Sequence, residues 1–434
     1  MSERYKLGLT RNRLFEFDNC ALFCGKLGFE CEISAIEKAL KTLCIKEPLL
    51  TAKIVLENDG TAYVVTRSVE PEIKKDSRNS SEILNEYEKN GIDFWEHLFA
   101  FSISGDGCLV IAGHTTVCDA KSLLRLASDF VSFCKRNAVG VEVSTINLFS
   151  EISDLPLEVA SPIVDRLADE LDSRWSEKDK SYAVEDYKKA KSLYCEKTSV
   201  RGELRGMLTN DILSGIQSYC AENNLDVSSV VAFSFYESLV NNIGADKKYN
   251  KMNVYADTRF FFENYTDYGV GAFNGVVTAD LNKKENSKAL DERIKHFHLD
   301  CYKGSTSPFR VFYDDVLQMK LTPSLCDSSY MYSVGMAKNK ASKKLAQNYG
   351  CGLEKICDFF SCNLEQSFWR GLEDYISLDV FEPFRMRSST YVGFVRRNGE
   401  GYITFKYKKD KCSDLQAEKI MAESINLIRK IAGI

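Results

Sequence analysis

Histidine, the usual carrier of acid–base chemistry near neutral pH, is scarce in this chain: His97, His114, His296 and His298 are the only ones in 434 residues. None of the fifteen cysteines forms a C-x-x-C pair, and Cys357 and Cys362 lack partners for a metal ligand set. A metal hydrolase, which needs such a ligand cluster, is set aside. The odd cysteine count without framework spacing fits reduced thiols and a cytoplasmic setting. Positive charge is also short. Lys and Arg number 57 against 62 Asp and Glu, a net charge of −5, so a nucleic-acid partner has no electrostatic support. The opening MSERYKLGLT has no signal-peptide apolar region, and the longest apolar stretch, SSVVAFSFYESLV, is interrupted by Ser and Glu and too short to span a bilayer. No short repeat or low-complexity tract is visible.

What the chain has in quantity is core-forming material: 44% of its residues are hydrophobic and 12% aromatic. This is ample for two or three domains or one two-lobed body. Ile36, Ala39, Leu40 and Leu43 recur at helical spacing, and Pro48 ends that helix. Asn58-Asp59-Gly60 and Gly105-Asp106-Gly107 sit between apolar runs and predict hairpins. The segment after Asp119 predicts a helix with Leu123, Leu124, Leu126, Ala127, Phe130 and Val131 inside. The charged stretch from 165 to 197 reads as a solvated helical crossover. Beyond it lie a helical pair broken at Asn224, a strand through KMNVYADTR, a Gly-rich gap in YTDYGVGAFNG and a strand in DSSYMYSVGMA. A hairpin at Asn398-Gly399 and a closing helix finish the chain. The expected division is an N-terminal lobe at 1–165, a crossover at 166–200 and a C-terminal lobe at 201–434, each mixed α and β.

The chemistry concentrates in GDGCLVIAGHTTVCDA. An apolar strand delivers His114 to its end, and Asp119 stands where the next helix needs an N-cap. A neutral imidazole fixed there can accept a proton near pH 7; a packed core histidine is the alternative. His296 and His298 face apart on a helix and read as surface residues. His97 reads as a helix residue.

These residues and their order resemble the condensation-domain and chloramphenicol-acetyltransferase-like acyltransferase superfamily, whose signature at a strand-to-helix loop is H-H-x-x-x-D-G. With Asp119 as anchor, DAKS is similar to the family's D-G-x-S, His114 falls on the first histidine, Thr115 on the second, and Ala120 on the glycine. ALKTLCIKEPLLTAKIVL, DVSSVVAFSFYESLVNN, VYADTR, GVGAFNGVV and YMYSVGMA resemble further family segments in the same order. The resemblance implies an α/β fold of two chloramphenicol-acetyltransferase-like lobes forming a V around a central channel. It implies transfer of an acyl group from a thioester, acyl-CoA or acyl-phosphopantetheine as substrate, to an amine or alcohol, with no bound cofactor or metal. The implied partners are the acyl thioester and a carrier protein, with no nucleic acid and no membrane span.

By the same resemblance, Asp119 is structural and pairs with Arg259 of the second lobe. The family's base is its second histidine, which is Thr115 here, and a threonine hydroxyl takes no proton near neutral pH. Two outcomes stay open. Either His114 acts as base from a shifted position, or the chain is a degenerate member that binds a thioester or docks a partner. If the Asp119-anchored register holds, Thr115 rather than His114 faces the channel. Ser333 falls on a family serine and is a candidate oxyanion donor, or a plain strand serine. Lys338, Lys340, Lys343 and Lys344 are candidates for the phosphates of coenzyme A or a pantetheine arm, or else a solvated helix face.

Overall fold

The computed structural model describes residues 3–15, 20–30, 32–67, 73–135, 141–146, 148–175, 181–197, 200–244, 250–262, 269–281, 287–349, 355–364, 372–382 and 388–434. The start of the Gly-rich gap, residues 265–268, lies outside them. In the first half the elements are β1 (Arg4–Lys6), β2 (Cys20–Leu27), α1 (Ile33–Lys46), β3 (Lys53–Leu56), β4 (Ala62–Val65), β5 (Ile73–Lys75), α2 (Ser80–Asn90), β6 (Phe99–Ile103), β7 (Cys108–His114) and α3 (Ala120–Lys135). Helices α4 (Pro162–Ser173) and α5 (Val184–Lys197) lead to the second half. There follow β8 (Arg201–Leu208), α6 (Asn210–Asn223), α7 (Val227–Asn242), β9 (Met252–Asp257), β10 (Asn274–Ala279), α8 (Leu290–Ser305), α9 (Pro308–Lys320), α10 (Pro323–Ser333), α11 (Lys340–Tyr349), β11 (Cys357–Asn363), β12 (Ile376–Glu382), β13 (Thr390–Arg397), β14 (Glu400–Lys408) and α12 (Asp414–Ala432).

Two larger sheets organise these elements. One runs β12-β2-β7-β6-β5, the other β10-β9-β11-β13-β14-β8, and a small sheet β1-β4-β3 stands apart. Strand β7 is buried at every residue because α2 and α3 both pack on it. That is why CLVIAGH reads as a continuous apolar run rather than an alternating one. Helix α3 turns Leu123, Leu124, Leu126, Ala127, Phe130 and Val131 inward, as its spacing predicts. In the second half α7 is buried on nearly all sides, packed by α6, α8 and α12 and by β11 and β13. The break between α6 and α7 falls at Asn224, in the left-handed region at φ 54°. Strand β12 crosses back from the second half and pairs antiparallel with β2 as an edge of the first sheet.

Several sequence expectations change on contact with the fold. DSSYMYSVGMA is not a strand: through Ser333 it is helix α10, opened by Pro323 at the first helical position, where its fixed φ suits a helix. Residues Ser324 to Met331 are all buried, so neither face was left polar to mark a helical period. The 165–197 stretch is helical as expected, in two helices, but it is not solvated throughout. Helix α4 buries Val164, Ala168 and Leu171, and α5 carries the buried Tyr187 and Ala190. His298 is not a surface residue but is buried beside Ser229, Nδ1 to Oγ 3.1 Å. His97 lies in the turn before β6, its N–H bonded to the Asp93 carbonyl, and not in a helix.

The β13–β14 hairpin turns at Asn398 and Gly399, both with positive φ (53° and 73°), the combination that matches the twist of the flanking strands. Gly399→Ala places a Cβ on a left-handed residue and is expected to cost about 1 kcal/mol, read as a lower urea midpoint with an unchanged denaturant slope.

Candidate functional site

The loop from β7 to α3 is held by its own polar side chains. Asp119 is 1% exposed. Its Oδ1 caps α3 by accepting from the Ser122 N–H at 2.8 Å. The same carboxylate accepts from both terminal nitrogens of Arg259, Nη1 to Oδ2 at 2.8 Å and Nη2 to Oδ1 at 2.9 Å. The Phe273 N–H adds a fourth donor at 3.1 Å. Both oxygens are thus satisfied by charge-assisted, two-pronged bonding, the arrangement that makes a buried ion pair tolerable. Arg259 also reaches Asp257 at 3.2 Å and lies over the Phe273 ring, 4.5 Å from its centroid. Lys121 meets Asp257 from the first half at 2.7 Å.

The segment after Arg259 is stitched to the first half by three buried polar side chains. Glu47 accepts from the Val270 N–H at 3.2 Å, Ser122 Oγ both accepts from Gly271 N–H at 3.1 Å and donates to its carbonyl at 2.8 Å, and Asp119 takes Phe273 N–H. Burial pushes the Glu47 carboxyl up, opposed by hydrogen bonds from Ser144 and Val270 and by Arg125 and Lys46. A Cβ at Gly271 would stand 2.3 Å from the Phe273 ring, so the residue there must be small. Arg13 closes the same region: Nη1 donates to the Thr115 carbonyl at 2.9 Å and Nη2 to the Asn274 carbonyl at 3.0 Å. Thr10 Oγ1 donates to the Thr116 carbonyl at 2.6 Å. Glu47 and Arg13 were not singled out from sequence, because nothing near them in the chain marks their partners.

His114 is 1% exposed and packs on the Phe94 ring, centroids 4.8 Å apart. Its Nδ1 lies 3.3 Å from the Thr116 N–H and 2.8 Å from Thr116 Oγ1. A backbone N–H can only donate, so Nδ1 is the accepting nitrogen and the neutral ring carries its proton on Nε2. Burial, with smaller contributions from the charges of Lys191 and Arg13, pushes the imidazole down to about 3. Thr115 is also buried, at 5% exposure, and its Oγ1 has no hydrogen-bond partner among the described residues.

The remaining candidates lie elsewhere. Ser333 ends α10 and is exposed, its hydroxyl donating to the Tyr330 carbonyl at 2.6 Å, not poised on a strand. Lys338, Lys340 and Lys343 are exposed, and Lys344 pairs with Glu170 at 3.2 Å. Among the described residues no group of His, Cys, Asp and Glu is arranged to hold a metal, every cysteine is a free thiol, and no helix is long and apolar enough to cross a membrane.

No family model and no curated protein sequence matches the chain. Solved structures do. The epimerization domain from the third module of tyrocidine synthetase B is 14% identical with a TM-score of 0.64, covering 100% of this chain and 97% of that one. The condensation domain from the Monacolin K polyketide synthase MokA is 10% identical with a TM-score of 0.66, covering 99% and 98%. The EpoB cyclization-docking bidomain from Sorangium cellulosum is 12% identical with a TM-score of 0.63, covering 99% and 85%. At these identities the likeness is one of fold. The chain has a condensation-domain fold of two lobes.

Two predictions follow from this geometry. Asp119→Ala strips the buried Arg259 of its two-pronged partner, leaving it only the single contact with Asp257, and is expected to lower stability by about 3–5 kcal/mol, measured by chemical denaturation. His114 has an ordinary value of 6.5 when unfolded and about 3 when folded. The unfolded chain therefore binds the extra proton as pH falls below 6.5, and stability drops as acid is added. His114→Gln is expected to flatten that slope by up to about 1.4 kcal/mol per pH unit between pH 6 and 4; parallel wild-type and variant curves would refute it.

Proposed function

We propose that the chain is a condensation-fold protein that binds an acyl thioester, carried by coenzyme A or a carrier protein, without using a histidine base to transfer the acyl group. The observation that carries this reading is the state of His114. Its one accepting nitrogen is engaged by Thr116, and its basicity is depressed far below the range in which general bases work. The adjacent position, the base in the resemblance, is Thr115, whose hydroxyl is a poor proton acceptor. The retained Asp119–Arg259 pair supports a fold maintained for binding, since it needs no chemistry to be worth keeping. The nonribosomal peptide synthetases among its fold neighbours, such as the four-domain holo-AB3403 bound to AMP and glycine, make a carrier protein the partner to try first.

A second reading keeps His114 as base, with acyl transfer to an amine or alcohol. It is favoured by the retained His114, Asp119 and Arg259, with His114 one residue further from Asp119 than the base of the resemblance. A panel of acyl-CoA and acyl-carrier thioesters, offered with amine and alcohol acceptors and followed by mass spectrometry, separates the two. Binding without turnover is expected for the wild type. Thr115→His restores a base in the family's position and is expected to raise transfer about 10²-fold over the wild-type background. Wild-type turnover that falls on His114→Ala would overturn the proposal in favour of the second reading.

A further inference from the structure

Strand β8 has a partner on one side only. It ends the larger sheet, and among the described residues no strand pairs with its outer side, so alternate N–H and C=O groups along it point away from β14. Its eight residues, RGELRGML, make it the longest strand at any sheet edge among the described residues. Open edges are ordinarily guarded by short length, a bulge, proline or a row of repelling charge. β8 has none of these: its register on β14 is unbroken from Arg201 to Leu208, it lacks proline, and its charges alternate in sign, Arg201, Glu203, Arg205. The two faces differ. Leu204, Gly206 and Leu208 lie on the side packed by α12. Arg205, with its side chain 56% exposed, and Met207, at 47%, stand in solvent.

Arg205 bonds Glu203 beside it at 2.7 Å, and Glu203 also lies 3.5 Å from Lys406, so these charges are matched within one copy. Their part in any pairing is to set register. Opposed residues in a sheet share a face, so a two-fold axis relating two antiparallel copies of β8 passes through a residue and not between two. The longest overlaps are centred on Leu204, pairing 201–207 with itself, and on Arg205, pairing 202–208 with itself. The second opposes Arg205 to its own copy. The first sets Glu203 across from Arg205 twice, Gly202 across from Gly206 twice and Leu204 beside Leu204, with no like charges opposed. We infer that two copies of the chain associate through β8, antiparallel about a two-fold axis at Leu204, so that their larger sheets join edge to edge. The self-complementary row of charge makes the occupant of this edge a second copy rather than an unrelated strand. The interface does not depend on the thioester reading.

The test is sedimentation velocity of the full chain at pH 7, between about 1 and 300 μM. A reversible monomer–dimer equilibrium is expected; a monomer throughout, or growth beyond the dimer, would overturn the inference. In this register Met207 stands across from Arg201 of the other copy. Met207→Glu is therefore expected to tighten the dimer about threefold, against the general repulsion of a chain with net charge −5, and Met207→Arg to loosen it about threefold. Arg205→Glu opposes like charges twice and is expected to loosen it about tenfold or more. All three changes replace exposed side chains, and circular dichroism checks that each variant keeps the fold. Equal dimerisation of the two Met207 variants, or the reverse order, would overturn the inference whatever Arg205→Glu does. Hydrogen exchange at low and high concentration locates the contact: slowing is expected in 201–208, and slowing instead in 274–279, the sheet's other edge, would count against it.

Discussion

The structure depends most on one carboxylate. Asp119 begins helix α3, accepts two bonds from Arg259 and fixes the Phe273 N–H, so a single buried group joins the first sheet's helix to the second half of the chain. Its charge is bearable only because four donors converge on it; remove any of them and a buried charge is left short of partners. Ser122 and Glu47 extend the same seam along residues 270 to 273. At the other end of the two halves Lys406, 2% exposed, meets Glu88 of α2 at 2.5 Å. Polar bonds in nearly dry surroundings set the relative position of the halves, and the apolar clusters fill the space that these bonds define.

That seam and the histidine beside it draw on the same short stretch for opposite ends. Asp119 is ionised and fully bonded, whereas His114, at the far end of the loop, is kept neutral by burial and by the Thr116 N–H. The loop between them is pinned from outside by Arg13 and Thr10 through the carbonyls of Thr115 and Thr116. A backbone tied at so many points holds its side chains rigidly. Rigidity serves binding as well as catalysis, and here the residue that follows His114 in that rigid loop is a threonine.

Much of this was legible in the chain, and the reason differs from place to place. The 398–399 turn, the α3 stripe, the break at Asn224 and the strand–loop–helix around His114 are written in short-range spacing, which sequence preserves. Asp119 and Arg259 were paired through a resemblance of motif order, since nothing in local pattern links residues 140 apart. Helix α10 was misread because burial on every side erases periodicity, leaving an accidental alternation of Tyr, Met and Ser. His298 was misread because a polar residue among charged neighbours looks exposed until α7 packs over it. Arg13 and Glu47 were invisible for the same reason as each other: each owes its meaning to partners brought together only by the finished fold.

Strand β12 carries a consequence for how the chain is made. It supplies the outer edge of a sheet whose other members, β2, β7, β6 and β5, all lie within the first 114 residues. On a ribosome, the backbone of β2 therefore waits with one open row of N–H and C=O groups until residue 382 has emerged. An open edge on an apolar strand is a template for pairing with a neighbouring nascent chain. The first sheet cannot be closed by early synthesis, and the late arrival of a strand from the far half couples the two halves into one folding event, with the long loop closure that slows it.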